Sequence, residues 1–117
     1  MVLREEQELD AIFHALAHPA RRAMVQRLTR AEHSLSELAA PLEMSFPAAS
    51  KHVRVLERAK LVKRRVIGRE HRCSLQPAAL SKAGAWTEKF RAAWEARFQA
   101  LDSLLDEMQQ KGGVRRG

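Results

Sequence analysis

The chain has 117 residues, a single cysteine and a formal charge of +7 from 21 Lys+Arg against 14 Asp+Glu. That length suits one domain with a modest core, and a lone cysteine excludes both a disulfide framework and a thiolate metal cluster within one chain, as expected of a reducing cytosol. No apolar run approaches the ~20 residues that span a bilayer, and residues 1–10 are charged where a signal peptide needs an apolar core, so a soluble cytoplasmic protein with no membrane partner is expected.

Leu9, Ile12, Phe13 and Leu16 recur at helical spacing and predict an amphipathic first helix over about 6–17. Pro19, preceded by His18, suits the first position of a second helix running to about residue 30, with Met24, Val25 and Leu28 as its buried stripe. After a polar connection at 31–33, Ser34 and Glu37 form a capping box that opens a third helix with Leu38, Ala39 and Leu42 inward. Pro41 cannot donate to the carbonyl of Glu37, so this helix should be short or kinked. Ser45 caps a fourth helix with Pro47 in its first turn. Its inner face is Ala49, Val53 and Leu56, which leaves Phe46, Ala48, Ser50, Lys51 and Arg54 outward.

Beyond residue 61 the pattern alternates through Val62, Arg64 and Val66, reaches Gly68, and resumes at His71, Cys73 and Leu75, which predicts a hairpin with Arg65, Arg69 and Arg72 around it. A long last helix begins at or just after Pro77. Residues 111–117 are too rich in glycine and charge to fold, so the expected organisation is one domain over 1–110 and a disordered tail.

Between residues 51 and 72 stand nine basic residues and only two acids, Glu57 and Glu70, which equals the whole excess of the chain. A focused cationic surface attracts a phosphate backbone through counterion release, whatever its sequence. Few aromatics and the absence of tyrosine argue against a stacking platform for single strands, so double-stranded DNA is the expected partner.

A helix-turn-helix needs a small residue where its helices cross, an apolar residue in the turn and an outward face on the second helix. Ala39, Met44 and the face from 46 to 54 meet these needs, while Glu43 stands where glycine is common. The stretch LAAPLEMSFPAASKHVRVLERAKLVKRRVIGREHRCSL and the earlier ALAHPARRAMVQRL resemble the winged helix-turn-helix of the ArsR/SmtB family of bacterial transcriptional repressors, over roughly residues 8–108. The resemblance implies a mainly α fold with a small β-hairpin wing and a long terminal helix for dimerisation. It places Ser45, Pro47, Ala48, Ser50, Lys51, His52 and Arg54 at the major groove, and Arg65, Gly68 and Arg69 in the wing; Phe46, outward on the same helix, is a further candidate DNA contact.

Metal-sensing members carry paired cysteines in the third helix or Asp/His ligands in the last. Neither SELAAPLEM nor residues 86–108 contain cysteine or histidine, so the resemblance implies the non-metal branch, with no cofactor and an unidentified small-molecule inducer at most. His14 and His18 sit four apart, but a closed site needs four ligands, and His18 beside Pro19 reads as a helix boundary. His52 either donates to a phosphate or sits against the helix-three junction, and the resemblance favours the former. Phe46 and Pro47 either pack on the preceding helix or touch a thymine methyl. Cys73 reads as an inert strand thiol.

Trp86, Phe90, Trp94, Phe98, Leu101, Leu105 and Met108 make one stripe on the last helix. Over ~33 Å at ~1.5 Å per residue it outruns a small winged body, so part of it should meet a partner. With Leu9, Ile12, Phe13 and Leu16 of the first helix from a second copy it would form a two-fold dimer, which the resemblance also implies. The expected function is a homodimeric repressor on a pseudo-palindromic operator. The alternatives are a ligand- or metal-responsive sensor of the same fold and a winged-helix module for protein or non-specific nucleic-acid binding. No phosphate loop and no nucleophile beside a base suggest an enzyme.

Overall fold

The computed structural model describes the backbone over residues 2–116 and the side chains over 3–111. The chain forms α1 (Val2–Leu16), α2 (Pro19–Leu28), β1 (His33–Ser34), α3 (Leu35–Ala39), a 3-10 turn (Ala40–Leu42), α4 (Phe46–Arg58), β2 (Val62–Ile67), β3 (Glu70–Leu75) and α5 (Pro77–Arg116). Residues up to Ala83 make one compact unit and those from Gly84 another.

Helix boundaries in the first unit are set by local chemistry. His18 caps α2 by accepting from the Ala20 amide through Nδ1 at 3.1 Å, with Pro19 in the first turn. The capping box of α3 is complete: the Glu37 amide donates to Ser34 Oγ at 3.1 Å, and the Ser34 amide donates to Glu37 Oε1 at 3.3 Å. Pro41 limits α3 to five residues and tightens Ala40–Leu42 into the 3-10 turn. Ser45 Oγ accepts from the Ala48 amide at 3.2 Å and starts α4.

Two helix ends share one device. At the first, Glu43 is left-handed with φ 52°, its amide donating to the Ala40 carbonyl and that of Met44 to Ala39. At the end of α4, Lys60 is left-handed with φ 60°, its amide donating to Glu57 and that of Leu61 to Leu56. Both are Schellman ends, built without the glycine that makes this conformation cheap.

The sheet has the order β1-β3-β2, all antiparallel. β2 and β3 pair from Val62↔Leu75 to Ile67↔Glu70, so Gly68 and Arg69 form a two-residue turn whose first position, Gly68, has φ 64°. β1 was not expected: His33 and Ser34, read as connection and cap, pair with Cys73 and Arg72. Ile12, Met24, Leu35, Leu38, Val53, Leu56, Leu61 and Cys73 fill the core.

Three further expectations are corrected. α1 starts at Val2 and not near residue 6. α5 continues through Arg116 where an unfolded tail was expected from Lys111, since extending an existing helix needs no new nucleus; Gly117 lies outside the described residues. Ile12, assigned to a partner surface, is 2% exposed and belongs to the core of its own chain. Leu9, Phe13 and Leu16 are half-buried.

Candidate nucleic-acid interface

The capped start of α4 and the hairpin tip carry the candidate face. On α4, Phe46, Pro47, Lys51 and Arg54 are exposed, and Ala48 is half-buried. Along the wing, residues 65–70 are exposed without interruption, including Arg65, Gly68 and Arg69. Ser45 is exposed, although its hydroxyl already serves as the helix cap. The Phe46 ring meets the His71 ring edge-on at 5.7 Å, so α4 touches the wing directly. Between them Phe46, Ile67, Arg69 and His71 line a shallow groove.

Two expected contacts are occupied elsewhere. Ser50 is half-buried, and its hydroxyl accepts from Arg64 Nη1 at 3.0 Å, so it braces the wing and does not point outward. His52 packs on the His18 ring at 4.5 Å, and Arg21 Nη1 lies 3.3 Å from its Nδ1. Arginine has no acceptor, so this contact requires a lone pair on His52 Nδ1. Burial, then the charges of His18, Arg21 and Lys51, hold the His52 pKa below its usual value of 6.5.

The run of cations that looked continuous in sequence is divided in space. Arg64 is bound to Glu57, Arg65 pairs with Glu32 at 3.2 Å, and Arg72 pairs with Glu70 at 3.0 Å. Arg58, Lys60 and Lys63 line a different place, an open groove of about 450 Å³ shared with Ile12 of α1 and Ala79 of α5. The Lys82–Glu8 pair, 2.7 Å apart, also borders it, and Lys82 holds the Glu8 carboxyl below the usual range. Lys51, Arg54 and Arg69 remain on the candidate face without an acidic partner among the described residues.

Arg21 was missed. It is 8% exposed and donates through Nε to the Ala15 carbonyl at 2.7 Å and through Nη2 to the His14 carbonyl at 3.0 Å, satisfying the end of α1. The signal was present: Arg21 lies three, four and seven residues before Met24, Val25 and Leu28, on their buried stripe.

Among the described residues no three His, Cys, Asp or Glu side chains are placed to hold a metal, and His14 and His18 form no such group. Cys73 is fully buried, and burial pushes its thiol pKa up. No helix among the described residues is long and apolar enough to cross a membrane. On α5, Trp86, Phe90, Trp94, Phe98, Leu101, Leu104, Leu105 and Met108 are 41–60% exposed.

A family model described as a helix-turn-helix domain matches residues 16–65. The chain is 34% identical over 97 residues to an HTH-type transcriptional regulator of Mycobacterium tuberculosis, covering 83% of this chain and 88% of that one. It is 38% identical over 69 residues to a transcriptional repressor SmtB homolog of Synechocystis sp., covering 59% of this chain and 52% of the relative. A crystal structure of an ArsR family transcriptional regulator superposes with a TM-score of 0.72 at 34% identity, covering 77% of this chain and 93% of that one. The capped α4, the adjoining basic wing and these likenesses along most of the chain agree: the protein belongs to the ArsR/SmtB family of winged helix-turn-helix, DNA-binding transcriptional regulators.

Proposed function

We propose that the protein is a cytoplasmic homodimeric repressor that binds a pseudo-palindromic operator and has no catalytic activity of its own. The observation that carries this reading is the joint exposure of Lys51 and Arg54 on the capped helix and Arg69 on the adjoining wing. α4 supplies Phe46, Pro47, Lys51 and Arg54 to the major groove, while Arg65, Gly68 and Arg69 track the flanking backbone. The Synechocystis relative is named a repressor, which supports the direction of regulation.

The stripe from Trp86 to Met108, with Leu9, Phe13 and Leu16 of a second copy, supplies the dimer contact. A symmetric dimer presents its two α4 helices to half-sites about one turn, ~34 Å, apart. Selection of bound duplexes from a random pool at physiological salt tests the reading. The expected result is an enriched inverted repeat with fixed spacing, bound ~10-fold more weakly by Lys51→Ala, as for loss of one charged contact. Tight binding with no enriched sequence would overturn it.

A further inference from the structure

Burial holds only the base of the wing. Val62 and Cys73 are 3% and 0% exposed, whereas Val66 and Ile67 are 62% and 54% exposed, and residues 65–70 place no side chain in the core. Arg64 is therefore the outermost residue of β2 whose side chain turns into the body, with its side chain 12% exposed. From there its guanidinium reaches α4 and β3 together. Nε and Nη2 donate to Glu57 Oε1 at 3.1 and 2.7 Å, Nη1 donates to Ser50 Oγ at 3.0 Å, and Nη2 donates to the Ser50 carbonyl at 3.3 Å. Nη1 also lies 3.4 Å from His71 Nδ1 on β3, and His71 in turn meets Phe46.

Ser50 and Glu57 are seven residues apart, two turns on one side of α4, so a rigid planar fork spanning them fixes both direction and height along the helix. A lysine in the same place would supply the charge from one point and could not hold both acceptors. We infer that Arg64 is a positioning residue that sets the wing against α4, so that Arg69 and Lys51 can engage one duplex at the same time. This assignment rests on the DNA-binding reading above and deepens it, because the cation contributes through the wing and not by touching phosphate.

A double-mutant cycle between Arg64→Met and Arg69→Ala, in the full chain on the selected duplex, tests it. Arg69→Ala is expected to weaken the wild type ~10-fold but the Arg64→Met protein less than ~2-fold, because a mispositioned wing has little contact left to lose. Arg64→Lys should behave like Arg64→Met. Wild-type affinity in Arg64→Lys, or an equal loss from Arg69→Ala in both backgrounds, would show a simple phosphate contact and overturn the assignment.

Amide hydrogen exchange of the free protein gives a reading that needs no DNA. Arg64→Met should speed exchange across the pairing of β2 with β3 near the tip and leave α4 unchanged; an unchanged tip would also overturn the assignment. Should Arg64→Met fail to fold, Ser50→Ala and Glu57→Gln remove the acceptors singly and carry the same cycle. If the wild type selects no duplex, the operator-binding reading fails while exchange still decides whether Arg64 holds the wing against α4.

Discussion

Residues up to 83 and residues from 84 onward treat their apolar side chains in opposite ways. In the first region Met24, Leu38, Val53, Leu56, Leu61 and Cys73 are wholly buried among one another. In the second, the aromatic and aliphatic stripe is 41–60% exposed, even though Trp86 and Phe90 meet as tilted rings at 4.5 Å, Trp94 and Phe98 at 5.8 Å, and Arg97 lies over Trp94 at 5.6 Å. Helix formation is not what separates them, since Arg91 pairs with both Glu88 and Glu95 and supports the second helical segment locally. The difference is burial: the first region completes its core within one chain, whereas the stripe of the second stays exposed, the face proposed above to meet a second copy.

The strongest way to break this contrast is to remove a large ring from the exposed stripe. Trp94→Ala should raise the dimer dissociation constant by ~30-fold or more, the scale of about 2 kcal/mol for a truncated aromatic anchor. Sedimentation equilibrium across nanomolar to micromolar concentrations measures it. An unchanged dissociation constant would mean that the stripe faces something other than a second copy.

Where the chain itself supplies the cause, the sequence was readable. Ser34 with Glu37, Ser45, Pro41 and Gly68 each act through their own or adjacent backbone, and all four features fall where spacing placed them. β1 was not readable, because His33 and Ser34 become a strand only through Cys73 and Arg72, far along the chain. Ser50, expected outward from helical spacing, was not readable for a related reason: Arg64 reaches it from the wing, 14 residues along the chain, and takes its hydroxyl. Arg64 itself lies two residues beyond the buried Val62, on the same face of β2, a signal that its charge obscured.

A smaller effect should come from the two Schellman ends, which sharpen the contrast because they belong wholly to the first region. Glu43 and Lys60 hold φ near 50–60° against the preference of any residue with a Cβ. Glu43→Gly should stabilise the protein by about 0.5–1 kcal/mol, the relief of left-handed strain outweighing the added freedom of the unfolded chain. Ser45→Ala, which removes a cap next to the same turn, should cost about 1 kcal/mol. Urea unfolding with an unchanged m-value reads both; a destabilised Glu43→Gly protein would show that the glutamate side chain offsets its own backbone strain.

The smallest effect separates the regions by pH. All five histidines lie before residue 84, so no side chain of the second region titrates with an ordinary imidazole pKa between pH 7.5 and 5.5. In the first region, His52 faces His18 and Arg21 of α2 and Lys51 of its own helix, and burial with these charges lowers its pKa from 6.5. The folded state then binds fewer protons than the unfolded state below pH 6.5. The contribution of neutral His52 is fully present above that value and falls away as the pH drops through the folded pKa. Glu37 is also depressed, to about 2, first by the His33 hydrogen bond and then by the Ser34 amide, but its contribution is lost only between pH 4.5 and 2, a separate window. Stability should therefore decline modestly from pH 7.5 to 5.5 while the dimer constant hardly moves, and His52→Gln should flatten the decline. An equal slope in His52→Gln would remove the His18–Arg21–His52 cluster as its source; a dimer constant that falls with the same midpoint would tie the interface to the first region, where the half-buried Phe13 and Leu16 of α1 are the groups to change next.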